Sequence, residues 1–277
     1  AEDLAEELEE PGFDAARDSW AVWHDGQLIG YGQLRVSSAL ADGAWAQAYL
    51  DGGVHPDWRG RGIGTRLMDL SESRACAVAA ERHPGAPLRL RVPGRLAGDP
   101  VQRLLERRGY HAARYFTDMG RDLPGAPLPA TDLPAALPTG ERLTIAAFQP
   151  RWAEAIRAAH NAAFADHWGS VAQTADDWRE RLASRTFRPA TSTVCLAGQA
   201  VIAYVLTYQW VEEELFIGQV GTLPTARGLG LARACLTETL RRAVDLGGFT
   251  TAQLAVDSVN PTGAGGLYES LGFSAAR

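Results

Sequence analysis

The sequence predicts an α/β chain built by duplication, and three observations predict it. Strand-like apolar runs interleave with runs of helical, 3.6-residue period. A glycine-rich turn between a strand-like and a helix-like run occurs twice, as VHPDWRGRGIG over 54–64 and TLPTARGLGLA over 222–232. Their prolines (Pro56, Pro224) and arginines (Arg59, Arg227) keep step at an offset of 168 residues, from 59 to 227. A second echo follows in the same order: LLERRGY over 104–110 and LYESLGF over 267–273. Two ordered echoes point to a duplicated domain rather than a short-period solenoid.

The elements fall out in order. In the second copy the pattern predicts a strand over 142–148, helices over 152–164 and 174–182, and a hairpin of strands 193–197 and 200–209 turning at Gly198-Gln199. A strand over 215–223 then leads through the glycine turn into a helix over 228–246, which Gly247-Gly248 stops. A strand over 253–257, a helix over 261–270 and a last strand from Phe273 complete it. The first copy repeats the later part: strands over 21–24, 27–36, 47–54, 88–92 and 110–118, with helices over 62–82 and 100–108. Only one helix, over 1–10 with Leu4 and Leu8 on one face, precedes these. Relative to a complete tandem, both outer ends read as short.

Between the copies, Asp122 to Gly140 carries Pro124, Pro127, Pro129, Pro134 and Pro138. Such density removes backbone donors and fixes φ, which reads as a semi-rigid extended linker. The expected domains are therefore 1–123 and 141–277, joined by a linker over 124–140.

Composition excludes several chemistries. Of 277 residues none is lysine, so all 27 basic residues are arginine. That removes Schiff-base lysine catalysis and the lysine-bearing phosphate loop. A net charge of −6 argues against a general nucleic-acid binder. The three cysteines are far apart, with no C-x-x-C, so neither a metal site nor a disulfide framework is expected. The longest apolar stretches, such as 200–206, fall far short of the ~18 residues of a membrane span. The acidic N-terminus is unlike a signal peptide. A cytoplasmic protein with no membrane or nucleic-acid partner is expected; the oligomeric state is left open.

The repeated turn carries the chemistry. Arg59-Gly60-Arg61-Gly62-Ile63-Gly64 and Arg227-Gly228-Leu229-Gly230-Leu231-Ala232 remove side-chain bulk where backbone N–H groups converge. Each opens a helix, whose orphan donors and dipole favour an anion such as a pyrophosphate.

These loops match R/Q-x-x-G-x-G/A, and Asn260 followed by Leu267-Tyr268-Glu269-Ser270-Leu271-Gly272-Phe273 matches a second recurring element. On those residues the chain resembles the Gcn5-related N-acetyltransferase (GNAT) family, as a tandem similar to the mycothiol synthase type. The resemblance implies two tandem folds, each a mixed, mostly antiparallel sheet flanked by helices, with two central strands splayed to admit acyl-CoA. It implies transfer of an acetyl group from acetyl-CoA to a primary amine, of a small molecule, by direct attack in a ternary complex.

It also implies site residues. Arg227 to Ala232, and in the first copy Val54 and Arg59 to Gly64, would hold the pyrophosphate. Gly221, Thr222 and Leu223 would bind the pantetheine arm and polarise the carbonyl. Tyr268 would be the general acid, and the first copy has Leu105 there, which cannot donate a proton. Asn260 would sit near the cofactor, although Asn before Pro is also a helix N-cap. Glu214, with Glu212 and Glu213, is the expected general base, and Asp257 a second candidate. Asp166, His167 and Trp168 would shape the acceptor site. No metal ligands are expected. Chemistry is expected in the C-terminal copy; catalysis in the first copy, or a non-catalytic CoA-binding tandem, is the alternative.

Overall fold

The structure is a computed structural model that describes residues 13–94, 98–125, 127–259 and 263–275. The expected helix over 1–10 lies outside them. The chain divides into two compact units, residues 1–113 with 167–174 and residues 114–166 with 175–277.

The first unit opens with a short helix α1 (Ala15–Asp18), capped by the Asp14 carboxylate on the Ala16 N–H. Strands β1 (Ser19–His24), β2 (Gln27–Val36) and β3 (Ala46–Val54) form an antiparallel meander, and β4 (Leu88–Arg91) joins β3 in parallel. Helix α2 (Ile63–Arg82) supplies the crossover. It buries Leu67, Ser71, Ala75, Val78 and Ala79, a one-sided stripe packed on β2 and β3. Helix α3 (Pro100–Arg107) starts where the Asp99 side chain accepts from the Val101 N–H at 2.9 Å, with proline in the first turn. The α3 end is tied to α2 by Arg108, which donates to both Asp69 and Glu72.

The second unit holds a seven-stranded sheet. Its strands are β5 (Phe116–Asp122), β6 (Leu143–Ala147), β7 (Thr193–Ala197), β8 (Ala200–Tyr208), β9 (Glu214–Thr222), β10 (Thr251–Asp257) and β11 (Ser274–Ala275). The spatial order is β11-β5-β10-β9-β8-β7-β6. Every pair is antiparallel except β9 with β10. Helices α4 (Ala153–Ala163) and α5 (Ala175–Ala183) lie with the core around Ile156, Trp178, Phe187 and Tyr204. Helix α6 (Leu231–Leu246) packs into a separate core that includes Leu215, Leu236, Leu240 and Leu254. Coverage by two cores explains why β7 and β8 are buried almost end to end and read as continuous apolar runs. Helix α7 (Ala264–Glu269) leads into β11.

Two features differ from the sequence expectation. The strand expected over 110–118 at the end of the first copy forms instead over Phe116–Asp122. It lies in the second unit's sheet, paired with β10 along seven positions from Thr251↔Asp122 to Asp257↔Phe116. Its buried Met119 and Arg121 explain the preference: Met119 joins the apolar core, and Arg121 Nη1 donates to the Leu271 carbonyl. The proline-rich segment after it is largely without regular structure, as expected, but it is not a free linker. Leu123 is buried, Leu128, Leu133 and Leu137 pack on the second unit's core, and Arg241 donates to the Pro129 carbonyl at 2.6 Å. Spaced leucines gave the proline run an apolar side that the proline count alone did not reveal.

Candidate active site

Each unit builds the same device from a strand pair that stops pairing halfway. In the first unit β3 pairs with β4 only over Ala46–Tyr49, and in the second β9 pairs with β10 only over Glu214–Phe216. Beyond those points β4 ends at Arg91 and β10 continues to Asp257 unpaired with β9, so among the described residues one backbone edge of β3 and of β9 has no ladder partner. Such an edge offers N–H and C=O groups to a ligand. In the second unit the Leu223 N–H donates to the Ile202 carbonyl at 2.9 Å, towards β8. Peptide groups alternate sides along a strand, so Thr222 and Val220 turn theirs to the splayed side. Of the three expected residues Gly221, Thr222 and Leu223, then, Thr222 turns its amide away from β8, while Gly221 and Leu223 pair with β8. Val220, which sequence reasoning missed, joins Thr222.

A bulge sits where the splay begins. The β8–β9 register slips between Leu206↔Gln219 and Thr207↔Ile217, leaving Gly218 as the extra residue. The Tyr208 ring lies over it: a Cβ at Gly218 would be 2.6–2.7 Å from ring carbons. The Tyr208 hydroxyl donates to Gln219 Oε1 at 2.9 Å.

The splayed strand runs into the glycine turn. Gly60, Gly62, Gly228 and Gly230 all have φ between 75° and 83°, and a Cβ on any of them would meet nothing within 4 Å. This is backbone left bare rather than backbone crowded by neighbours. Gly62 and Gly230 are the N-caps of α2 and α6, and neither helix has a side-chain cap. Their first-turn N–H groups therefore await an external acceptor, at the positive end of helices of 20 and 16 residues. Leu231 is buried and Leu229 packs on the core, so these side chains anchor the loop while its backbone faces outward. The loop arginines brace it. Arg59 Nε donates to the Val54 carbonyl at 3.4 Å, Arg61 lies 4.5 Å over the Trp58 ring, and Arg227 Nη2 donates to the Ala163 carbonyl at 2.8 Å. The residues present fit a pyrophosphate in both units.

In the first unit these parts enclose a cleft of about 740 Å³. Its walls include Gly52, Gly53 and Val54 of β3 and the loop from Arg59 to Gly64 apart from Arg61, with Arg103, Leu104 and Arg107 of α3 opposite. Arg103 and Arg107 were not foreseen as site residues; they stand one helical turn apart, which is the signal in the sequence that places them on one face. Leu105, at the motif position, is buried.

In the second unit Tyr268 on α7 occupies that position. Its ring is buried edge-on to Phe273, and burial pushes the phenol up to about 12. The hydroxyl is therefore protonated throughout the neutral range. Asn260 lies outside the described residues.

Glu214 and Asp257, the carboxylates expected as bases, each have partners of their own. Glu214 stands at the opposite end of β9, where Gln253 Nε2 donates to its carboxylate at 2.6 Å. Eight residues of strand separate it from Thr222, on the order of 25 Å. Glu213 has φ 61° in the adjoining turn. Asp257 is buried at the end of β10, accepts from the Val259 N–H at 2.9 Å and faces Arg114 at 3.8 Å. The expected acceptor segment also divides: Asp166 belongs to the second unit, His167 and Trp168 to the first. Arg91 stacks 4.4 Å over the Trp168 ring and donates to the Gly169 carbonyl, so the Trp168 ring is engaged in holding the chain. Cys195 and Cys235 are buried core residues as expected. No cluster of metal-ligating side chains occurs among the described residues, and no helix among them is long and apolar enough to cross a membrane.

A strand whose outer half lacks a described partner and runs into a helix N-terminus without a side-chain cap recurs in both units, and the second unit adds a neutral buried phenol. Comparison with known proteins identifies this arrangement. Residues 153–273 match the acetyltransferase (GNAT) family and residues 15–112 the acetyltransferase (GNAT) domain. The mycothiol acetyltransferase of Thermomonospora curvata is 33% identical over 251 residues, covering 90% of this chain and 76% of that one. That of Kineococcus radiotolerans is 35% identical over 257 residues, covering 91% and 76%. Among solved structures, a GCN5-related N-acetyltransferase from Sphaerobacter thermophilus aligns with a TM-score of 0.77 at 24% identity, over 99% of this chain and 82% of that one. A tandem GNAT protein from the clavulanic acid biosynthesis pathway aligns at 0.69 and 19% identity, over 99% and 84%. The chain belongs to the GNAT acetyltransferase family, as a tandem of two such domains similar to the mycothiol acetyltransferases. It is an N-acetyltransferase, and enzymes of this family use acetyl-CoA.

Proposed function

We propose that this chain moves the acetyl group of acetyl-CoA to the primary amine of a small molecule, and that the C-terminal unit does the chemistry. One observation carries the choice of unit. Both copies keep the splayed strand and the bare helix N-terminus, but the motif position holds Tyr268 in one and Leu105 in the other. The relatives are named for mycothiol, so mycothiol-related amines head the acceptor panel.

Acetyl-CoA supplies the activated thioester. The backbone N–H groups of Gly228 to Ala232 bind its pyrophosphate, helped by the α6 dipole. Thr222 and Val220 orient the pantetheine arm and place amide donors where negative charge develops on the carbonyl oxygen; a donor so placed is worth ~3–4 kcal/mol of barrier. Tyr268 holds a proton at its hydroxyl for the departing sulfur, whose thiol has an ordinary pKa of ~8.5. The amine attacks directly, with both substrates bound, and must arrive neutral. Glu214 is too far along β9 to take its proton by contact and can do so only through a water chain, with Asp257 as the nearer carboxylate in sequence to Tyr268. The first unit, with its cleft and Arg59, Arg103 and Arg107, is read as a donor-binding site whose motif position, Leu105, offers no proton donor, although Tyr31 lines the same cleft.

Release of free thiol from acetyl-CoA, screened over a panel of small amines, tests this reading. Thiol release that depends on one class of amine is expected. CoA binding with no release for any amine would make the chain a binding tandem instead.

A further inference from the structure

One face of α4 touches both halves of the second unit's donor site. His160 Nδ1 lies 2.6 Å from the Tyr204 hydroxyl. Three residues on, the Ala163 carbonyl accepts from Arg227 Nη2 of the pyrophosphate loop at 2.8 Å. Residues three apart share a helix face, so a single turn of α4 holds the loop directly and reaches β8 through Tyr204.

Tyr204 carries that contact to the splayed strand. It stands opposite Gly221 in the β8–β9 register, and its side chain crosses that glycine. A Cβ at Gly221 would lie 2.3–2.6 Å from the ring and hydroxyl atoms. The backbone of Gly221 therefore rests on the phenol, between Val220 and Thr222, whose amides turn away from β8. The clamp is rigid. Tyr204 is completely buried; His160 stacks on Phe164 at 4.6 Å and tilts against Trp178 at 5.1 Å. Trp178 in turn donates to the Ala153 carbonyl of α4 at 2.9 Å. Burial, with the positive charge of Arg181, depresses His160 to about 4, and burial raises the Tyr204 phenol. Both partners stay neutral in the neutral range, where the phenol is the better donor and His160 Nδ1 accepts.

A core hydrogen bond alone would satisfy the phenol but would not require glycine beneath it or a tie from the same helical turn to the pyrophosphate loop. We propose that Tyr204, anchored by His160, is a positioning residue that registers Val220 and Thr222 of the splayed strand against the pyrophosphate loop. The proposal rests on the reading that the second unit performs acetyl transfer.

The test uses the full chain with Tyr204→Phe, His160→Phe and His160→Gln. Tyr204→Phe keeps the ring over Gly221 and removes only the hydroxyl. Its kcat is expected to fall ~10-fold or more, since displacement of about 1 Å can cost 10²-fold, while KM for acetyl-CoA stays within about 2-fold. His160→Phe should match it. His160→Gln, whose amide oxygen can accept from the phenol, should recover most of the loss. Amide exchange at Gly221 and Leu223 should quicken in Tyr204→Phe and His160→Phe. Wild-type kcat in Tyr204→Phe, or equal loss in His160→Gln and His160→Phe, would overturn the proposal. If the wild-type protein releases thiol with no amine, the activity reading fails by itself, and amide exchange decides: unchanged protection at Gly221 overturns the clamp, and faster exchange upholds it.

Discussion

Arg91 lies 4.4 Å above the Trp168 ring and gives a hydrogen bond to the neighbouring Gly169 carbonyl at 3.3 Å. The same carbonyl accepts from Gln47, a fully buried amide on β3. Residues 167–174 are thus fastened to the first unit's sheet, with a further bridge at Ala41↔Val171. Trp168→Ala is expected to destabilise the protein by about 1–2 kcal/mol, the range of a partly desolvated cation–π contact. KM for the acceptor should not change. Denaturant unfolding and steady-state kinetics on one preparation check both parts.

Gly221 has no room for a side chain because the Tyr204 ring occupies it. Gly221→Ala should cost about 1–3 kcal/mol through overpacking, measured by denaturant midpoint. The combination with Tyr204→Ala should show coupling, the double variant losing less than the two single losses together.

The bare glycines permit a different experiment. Gly230→Ala and Gly62→Ala each force an L-residue into a left-handed φ, costing ~1–2 kcal/mol, and each introduces a methyl group where the helix N-terminus is open. Gly230→Ala should raise KM for acetyl-CoA ~10-fold. Gly62→Ala should leave kcat/KM unchanged and lower the number of CoA molecules bound per chain in a calorimetric titration.

His160 couples stability to pH. Its folded value, about 4, lies below the ordinary 6.5 because burial disfavours the charged ring. Between those values the unfolded chain binds the extra proton, so stability rises with pH across that window. The contribution is complete above about pH 6.5 and is lost as pH falls towards 4. Between pH 7.5 and pH 5 the unfolding midpoint of the wild-type protein should fall further than that of His160→Gln.

Much of this was legible beforehand for a physical reason. Glycine at 62 and 230 leaves the backbone with φ values only glycine takes easily, and such positions print themselves in the sequence together with the helix they open. The strand-to-helix order around them followed from periodicity, with ends displaced by one to three residues. Pairing partners did not follow. Nothing in the run Phe116–Asp122 says that it lies beside β10, because strand alternation encodes which face is buried and not which neighbour is chosen. Contacts between distant residues were likewise silent: His160 and Tyr204 are 44 residues apart and read separately as one polar residue on a helix and one aromatic in a strand. Glu214 looked suitable as a base by residue type and proximity in sequence, but strand rise carried it away from Thr222.

The assignment of chemistry to the second unit turns on one oxygen atom. The Tyr268 ring is held edge-on to Phe273, with centroids 6.2 Å apart, so Tyr268→Phe preserves the packing and removes only the hydroxyl. Thiol release by this variant, with the loop from Arg59 to Gly64 untouched, is expected to fall ~10²-fold or more in kcat at unchanged acetyl-CoA affinity. Retention of full activity by Tyr268→Phe would contradict the assignment and place the proton donor elsewhere.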